Sequence, residues 1–259
     1  MSQPLTLSRP KLADFVACQR RFQLRYERQL PWPAGPLQAE IAGALDRGRR
    51  FHQLLQRHFI GLPVDESLEE MPELARWWQL FKSQGPELPV GRRLPELSLT
   101  APIGRHFLTG RFDLLVVGDQ GHHIYDWKTE SRPRSPAALR DDLQTRVYLA
   151  LVAEGAPALR DPVSPEAITL TYCYPTDPPV VASLAYSRAW HEENWAFLRE
   201  LTIEIEERLA LGKDLPLTDD LAACRRCAYQ AYCGRLMESS DLADWRSSAS
   251  PPQLEPNTP

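Results

Sequence analysis

The sequence contains no long run of apolar residues and few cysteines. No stretch of the 259 residues approaches the roughly 20 consecutive apolar residues that a membrane-spanning helix needs. The first residues also lack the apolar core of a signal peptide, so we expect a cytoplasmic protein without a membrane partner. Thiols stay reduced in the cytoplasm, and the five cysteines are therefore candidate metal ligands or buried thiols before they are candidate disulfides.

The chain also has no excess of positive charge and no nucleotide-binding loop. Its net charge of -4 argues against a protein that coats nucleic acid by bulk charge. The charge is unevenly distributed, because residues 1–60 carry ten Lys and Arg against four Asp and Glu. This excess makes a local basic face available for phosphates, although ordinary solvated helix surface explains it equally well. The absence of a Gly-x-x-x-x-Gly-Lys-Ser/Thr loop argues against a fused motor.

Apolar periodicity predicts helices on both sides of a group of strands. Apolar residues recur at helical spacing in five segments. The first segment begins at Ser8, and the others cover about 44–60, 71–82, 135–154 and 188–211. Short β-prone segments bounded by turn residues cover 94–100, 107–117, 122–128, 167–174 and 180–185. The first three of these strands follow one another directly, so we expect them to form an antiparallel meander.

Two acidic residues on neighbouring predicted strands give the strongest functional signal. If the residues that flank the turn at 118–121 pair with each other, Asp113 falls directly opposite Asp126. Like charges at opposed positions are destabilising, so this pair persists most easily with a cation between the carboxylates. Lys128 follows Asp126 by two residues and therefore projects to the same face of its strand.

Two carboxylates and an ammonium around one point suit the hydrolysis of a phosphodiester. The carboxylates of Asp113 and Asp126 would hold Mg²⁺ or Mn²⁺, which polarises the phosphate and activates water. Lys128 would orient that water or stabilise the charge that develops in the transition state. The alternative is a surface hairpin whose charged side chains face water, but the apolar run at 114–117 favours a site.

Four short motifs in this order resemble a known nuclease family. They are Gly48-Arg-Arg-Phe-His52, Gly110-Arg-Phe-Asp113, Asp126-Trp-Lys128-Thr129 and Gln144-Thr-Arg-Val-Tyr148. Their pattern is similar to that of the RecB-like branch of the PD-(D/E)XK nucleases. That branch carries a histidine on an early helix, G-x-x-D and D-x-K-T on successive strands, and Q-x-x-x-Y on the following helix. The resemblance implies an α/β fold with a restriction-endonuclease-like core, in which helices flank a central mixed sheet.

The resemblance also implies roles for individual residues. His52 would bind the metal together with Asp113 and Asp126, although a histidine that shares a helix face with apolar residues is often part of a core. Gln144 and Tyr148 lie one helical turn apart and would contact DNA or the lysine, while Tyr148 could equally belong to the core. Some members carry a further acid at the position of Glu96.

The cysteines predict a second metal site. Cys224, Cys227 and Cys233 form C-x2-C-x5-C, which supplies three of the four thiolates that a four-iron cluster needs. Cys18 supplies the fourth, because its segment resembles the N-terminal cysteine segment of iron-sulfur RecB-like nucleases such as AddB-type subunits and the CRISPR-associated RecB-like exonuclease. Gln19 replaces the proline that usually follows this cysteine. Zinc is the alternative metal, and a buried thiol is the alternative role of Cys18.

These predictions combine into one functional hypothesis with two alternatives. We expect a metal-dependent DNA nuclease, acting as an exonuclease in repair, recombination or CRISPR adaptation, with a helicase or a CRISPR-adaptation protein as a partner. A non-catalytic DNA-binding partner of a helicase-nuclease complex and a redox- or metal-sensing cluster protein are the alternatives. A single domain is expected over 1–245, with the cysteine region formed by 8–30 and 215–236 and a disordered tail over 246–259. Cys173 is expected to be a buried thiol outside both sites.

Overall fold

The computed structural model describes residues 3–31, 39–64, 71–155, 163–225 and 227–235. The predicted tail over 246–259 lies outside these residues. The described residues divide into two compact units, one formed by Gln3–Arg9 and Ala44–Thr202 and the other by the described parts of Pro10–Gly43 and Ile203–Pro259. None of the described helices has the length and apolar character needed to cross a membrane.

The helices follow the predicted order, but one predicted helix is divided in two, and two short helices, at Gln19–Phe22 and Leu221–Arg225, were not predicted. They are α1 (Arg9–Ala17), α2 (Gln19–Phe22), α3 (Ala39–Phe59), α4 (Pro72–Gln84), α5 (Pro136–Arg140), α6 (Leu143–Gly155), α7 (Arg188–Ala210) and α8 (Leu221–Arg225). A π-helical turn at Gln23–Glu27 continues α2, and a 3-10 turn at Pro165–Ala167 precedes a strand.

The single helix predicted from Ser135 to about Glu154 is wrong, because two helices occupy this segment. The side chain of Ser135 caps α5 as its position before Pro136 predicts, accepting a hydrogen bond from the backbone of Ala138. A second cap then interrupts the helical run. The carboxylate of Asp142 accepts a hydrogen bond of 2.7 Å from the backbone N–H of Gln144, and α6 begins between these two residues. This cap fixes the start of the helix that carries Gln144.

Six strands form one mixed sheet among the described residues, as the α/β restriction-endonuclease-like prediction requires. They are β1 (Thr6–Ser8), β2 (Arg92–Ile103), β3 (His106–Gly118), β4 (Gly121–Trp127), β5 (Ile168–Tyr174) and β6 (Val180–Ala185). The predicted meander is confirmed, because β2, β3 and β4 pair antiparallel in sequence order. β5 pairs parallel with β4, with α5 and α6 in the connection, and β6 returns antiparallel to β5.

Strand β3 organises this sheet because three strands pair with it. β2 follows one edge of β3 along nearly its whole length. β1 and β4 therefore share the other edge, where β1 pairs in parallel with 107–109 and β4 pairs with 114–118. The segment 110–113 lies in the gap between them, and it carries the predicted G-x-x-D motif.

Buried side chains on both faces of the sheet place the motifs. One cluster joins α3 and α4 to the strands, and among its members are Phe51, Leu55, Trp78, Leu114 and Trp127. Helix α6 is apolar on nearly all sides, and residues 149–152 are completely buried. The motif histidine on α3 and the motif glutamine on α6 are therefore each carried by an element packed into the core.

Candidate active site

Three carboxylates lie at one level across three neighbouring strands. Leu114 pairs with Tyr125 at the end of the ladder between β3 and β4, so Asp113 and Asp126 occupy the next opposed positions. The register that the turn at 118–121 predicts is therefore confirmed. On the other side, the ladder between β2 and β3 places Glu96 opposite Asp113. Such a row of like charges is unfavourable without a counter-ion.

His52 faces this row from helix α3. Its Nδ1 atom lies 3.3 Å from Oδ1 of Asp113. Gly48, one turn earlier on α3, permits the approach, because a Cβ at this position would lie 3.0 Å from Oγ1 of Thr129 at the end of the D-x-K-T motif. The glycine of the first motif thus brings the helix close to the strand end that carries Lys128.

The donor atoms of His52, Glu96 and Asp113 lie within 4.8 Å of one another, close enough to hold one metal ion. In the described chain this is the only group of three or more acidic, histidine or cysteine residues at such spacing. Glu96 reaches it through an uncommon backbone conformation, with a positive φ of 53° that a residue other than glycine rarely adopts. Strain of this kind persists where the surroundings impose it, and it is frequent in functional sites.

Asp126 is engaged differently. Its Oδ2 forms a salt bridge of 2.8 Å with Nζ of Lys128, and its Oδ1 accepts a hydrogen bond of 2.5 Å from the side-chain amide of Gln144. The same amide group accepts from Nζ of Lys128 at 2.8 Å. Gln144 therefore contacts the lysine, one of the two alternatives that the sequence left open. The predicted role of Asp126 as a metal ligand remains a prediction.

Burial and mutual charge shift the pKa values of these groups in opposite directions. Burial lowers the pKa of His52, but the carboxylates of Asp113 and Asp126 outweigh this effect and raise it to about 9. Burial raises the pKa of Asp126 to about 7, with Asp113 adding to the rise and Lys128 opposing it. Burial acts in the same direction on Asp113, but the neighbouring His52 holds its pKa below the ordinary value. Burial and Asp113 raise the pKa of Glu96.

Tyr148 lies one turn beyond Gln144 on α6 and faces the gap in the ladder of β3. Its hydroxyl donates a hydrogen bond of 2.5 Å to the backbone carbonyl of Arg111, and its ring packs edge-on against Phe112 at 4.8 Å. Gly110 allows this contact, since a Cβ there would lie 2.8 Å from the Leu151 side chain. The ring is 8% exposed, which agrees with the core alternative and leaves the predicted contact with DNA as a prediction.

Two residues of the site were only weakly indicated by the sequence. Glu96 was expected only from the resemblance to family members. The sequence does not indicate its orientation toward Asp113, because this orientation depends on a local backbone distortion. Arg111 carried no signal of its own. Its Nε lies 3.0 Å from Oε2 of Glu96, and its place two residues before Asp113 on a strand was the available clue.

The predicted cluster cysteines all belong to the second unit, where segments from both parts of the chain meet. Arg20 of the cysteine segment donates from its backbone to the carbonyl of Pro216 at 3.1 Å. Burial raises the pKa of the Cys233 thiol, and the nearby Cys227, Cys18 and Cys224 add to the rise. The four thiols therefore interact electrostatically. Cys173 is buried in β5, as predicted.

Comparisons with known proteins identify the family. Residues 6–234 match the model of the PD-(D/E)XK nuclease superfamily. Among solved structures, SSO0001 is 15% identical with a TM-score of 0.43, covering 92% of this chain and 90% of that one. A candidate exonuclease from Eubacterium rectale is 10% identical with a TM-score of 0.46, covering 96% and 91%. No curated protein matches the sequence. The family match spans nearly all of the described residues, and the chain belongs to the PD-(D/E)XK nuclease superfamily.

Proposed function

We propose that the protein is a DNA exonuclease that hydrolyses phosphodiester bonds with Mg²⁺ or Mn²⁺. The convergence of His52, Asp113 and Glu96 beside the pair of Asp126 and Lys128 carries this proposal. Carboxylate oxygens are the ligands that these hard cations prefer, and Mn²⁺ also accepts imidazole. The negative carboxylates complement the charge of the metal ion, and the positive ammonium of Lys128 complements the charge of the phosphodiester.

The residues of the site would have distinct roles in hydrolysis. His52, Asp113 and Glu96, with Asp126 as the predicted further ligand, would hold the cation. When bound, the cation polarises a phosphate oxygen and lowers the pKa of a bound water. Lys128 is held by Asp126 and Gln144, so its ammonium has a fixed position from which to stabilise negative charge on the phosphate.

Cleavage of labelled DNA tests this proposal. Purified protein is incubated with end-labelled single- and double-stranded DNA, and with circular DNA, in the presence and absence of Mn²⁺. We expect cation-dependent degradation of the linear substrates and resistance of the circles. Asp126→Ala should lower the rate by orders of magnitude, whereas Asp119→Ala, an exposed aspartate in the adjacent turn, should not. An undiminished rate in Asp126→Ala would contradict the assignment, and cutting of circles would replace exonuclease by endonuclease.

We further propose that Cys18, Cys224, Cys227 and Cys233 bind a [4Fe-4S] cluster. One N–H group donates to each of two of the sulfurs, the backbone of Tyr229 to Cys227 at 3.4 Å and the side chain of Arg235 to Cys224 at 3.8 Å. Four thiolates also suit tetrahedral zinc, which is the alternative metal.

Metal analysis tests the cluster. An anaerobic preparation should be brown and contain about four irons per chain. Cys18→Ser should lose the iron, while Cys173→Ser, a buried cysteine of the other unit, should retain it. A colourless protein with one zinc would replace iron by zinc, and full iron content in Cys18→Ser would remove Cys18 from the site.

The same motifs support assignment to the RecB-like branch. Because such a cluster needs reduced thiols, we propose a cytoplasmic protein that acts in repair, recombination or CRISPR adaptation beside a helicase or an adaptation protein. A non-catalytic DNA-binding partner or a cluster-based sensor would have no use for the opposed carboxylates, which disfavours both alternatives. Binding of DNA without any cleavage would favour the first of them.

A further inference from the structure

Arg111 stands at the edge of the candidate metal site. It precedes Asp113 by two residues on β3, so both side chains project to the same face of the sheet. Its side chain is 57% exposed, and its Nε forms a salt bridge of 3.0 Å with Glu96, whose side chain is 18% exposed. Glu96 is also one of the three residues whose donor atoms converge on the metal position. One carboxylate therefore faces both a cation site and a guanidinium.

The backbone of Arg111 is held in place, whereas its guanidinium is exposed. Tyr148, which α6 buries against Phe112, donates its hydroxyl hydrogen to the carbonyl of Arg111. Gly110 lets α6 approach the same stretch of backbone. The exposed guanidinium, in contrast, has the carboxylate of Glu96 as its ion-pair partner. Solvent on the Arg111 side weakens this ion pair, so a stronger ligand for either group separates it.

We propose that Arg111 binds a backbone phosphate of the nucleic acid next to the cleaved bond, and that the metal ion releases Arg111 for this contact by binding Glu96. The inference rests on the proposed nuclease function. A guanidinium binds phosphate oxygens through paired N–H groups, which suits it to this role better than an ammonium. The strained backbone of Glu96 holds its carboxylate between the two partners, so that the incoming cation and Arg111 compete for it.

DNA binding measured against salt concentration tests the phosphate contact. The affinity of a labelled oligonucleotide is determined in Ca²⁺, across a series of salt concentrations, for the wild type, Arg111→Gln and Arg199→Gln. Arg199 is an exposed arginine of α7 and provides the matched loss of charge. Arg111→Gln should weaken binding about tenfold and reduce the slope of log affinity against log salt by about 1. A residue with a merely structural role would change the unfolding temperature and leave this slope unchanged.

Removing the carboxylate of Glu96 tests whether the metal ion displaces Arg111 from this residue. Glu96→Gln should release Arg111 without metal, so this variant should bind DNA more tightly than the wild type in a chelator. Combining it with Arg111→Gln should abolish the gain, which separates release of Arg111 from the simple loss of a negative charge. Arg111→Gln alone should bind Mn²⁺ at least as tightly as the wild type, because the competitor for Glu96 is gone.

Two results would overturn this inference without contradicting the proposed nuclease function. They are an unchanged salt slope in Arg111→Gln while the wild type cleaves DNA, and a gain in Glu96→Gln that persists in the double variant. A wild-type protein that binds and cleaves no DNA would instead overturn the proposed function, and this inference with it.

Discussion

Metal affinity should rise steeply with pH, because His52 must lose a proton before it can bind a cation. The carboxylates of Asp113 and Asp126 outweigh the effect of burial and raise the pKa of this histidine to about 9. The ring is therefore charged at neutral pH when no metal is present, whereas only neutral imidazole is a ligand. The neutral fraction falls about tenfold for each pH unit below 9.

The expected size of the effect follows from this shift. Between about pH 8.5 and pH 6.5, the apparent affinity for Mn²⁺ should fall about a hundredfold from His52 alone. The pKa of Asp126 is raised to about 7, so its participation as a ligand would steepen the dependence further below that pH. At neutral pH, each bound ion should displace about one proton. Calorimetric titration in buffers of different ionisation enthalpy measures both the affinity and the number of protons released.

His52→Gln provides the control, since its side-chain amide can bind a cation without titrating. The variant should bind Mn²⁺ more weakly than the wild type at high pH, and its affinity should change little between neutral and alkaline pH. A wild-type affinity that stays constant over this range, with no proton released, would refute the reasoning. It would mean either that His52 is neutral before the metal arrives or that it does not bind the metal.

Three further substitutions test neighbouring parts of the site. Lys128→Ala should lower the rate of DNA cleavage about 10²–10³-fold while leaving the affinity for Mn²⁺ unchanged or improved, as single-turnover kinetics and metal titration would reveal. Gln144→Leu should cost about 1–3 kcal/mol of unfolding free energy in a denaturant titration, because a buried carboxylate loses a donor. Gly110→Leu should displace α6 and lower the melting temperature by several degrees, and an unchanged melting temperature would contradict the tight packing described for this glycine.

The sequence predicted the pairing of the catalytic strands because a short turn determines register. Once the turn at 118–121 joins two strands, their opposed positions follow by counting, and Asp113 must face Asp126. The order of motifs likewise placed His52 and Gln144 on helices. Features that depend on few residues and on short separations along the chain could therefore be predicted without knowledge of packing.

Other features depend on tertiary structure or on competing local signals. The break between α5 and α6 was missed because the apolar period continues across it, although Asp142 is a good N-cap residue placed just before a strongly apolar run. The left-handed backbone of Glu96 could not be predicted, since a glutamate on a strand normally has a negative φ. Its convergence with His52 depends on how α3 packs against the sheet, which a single sequence does not specify.

The gap in the ladder of β3 has a mechanical consequence. The strand is held by β1 at one end and by β4 at the other, while 110–113 is paired by a strand on one edge only among the described residues. On the other edge, the hydroxyl of Tyr148 supplies a hydrogen bond to the backbone. In a continuous ladder a neighbouring strand would occupy this edge and leave the helix no free backbone group to bind. Because of the gap, α6 is tied directly to the strand, and a displacement of this helix would pull on the backbone two residues before Asp113.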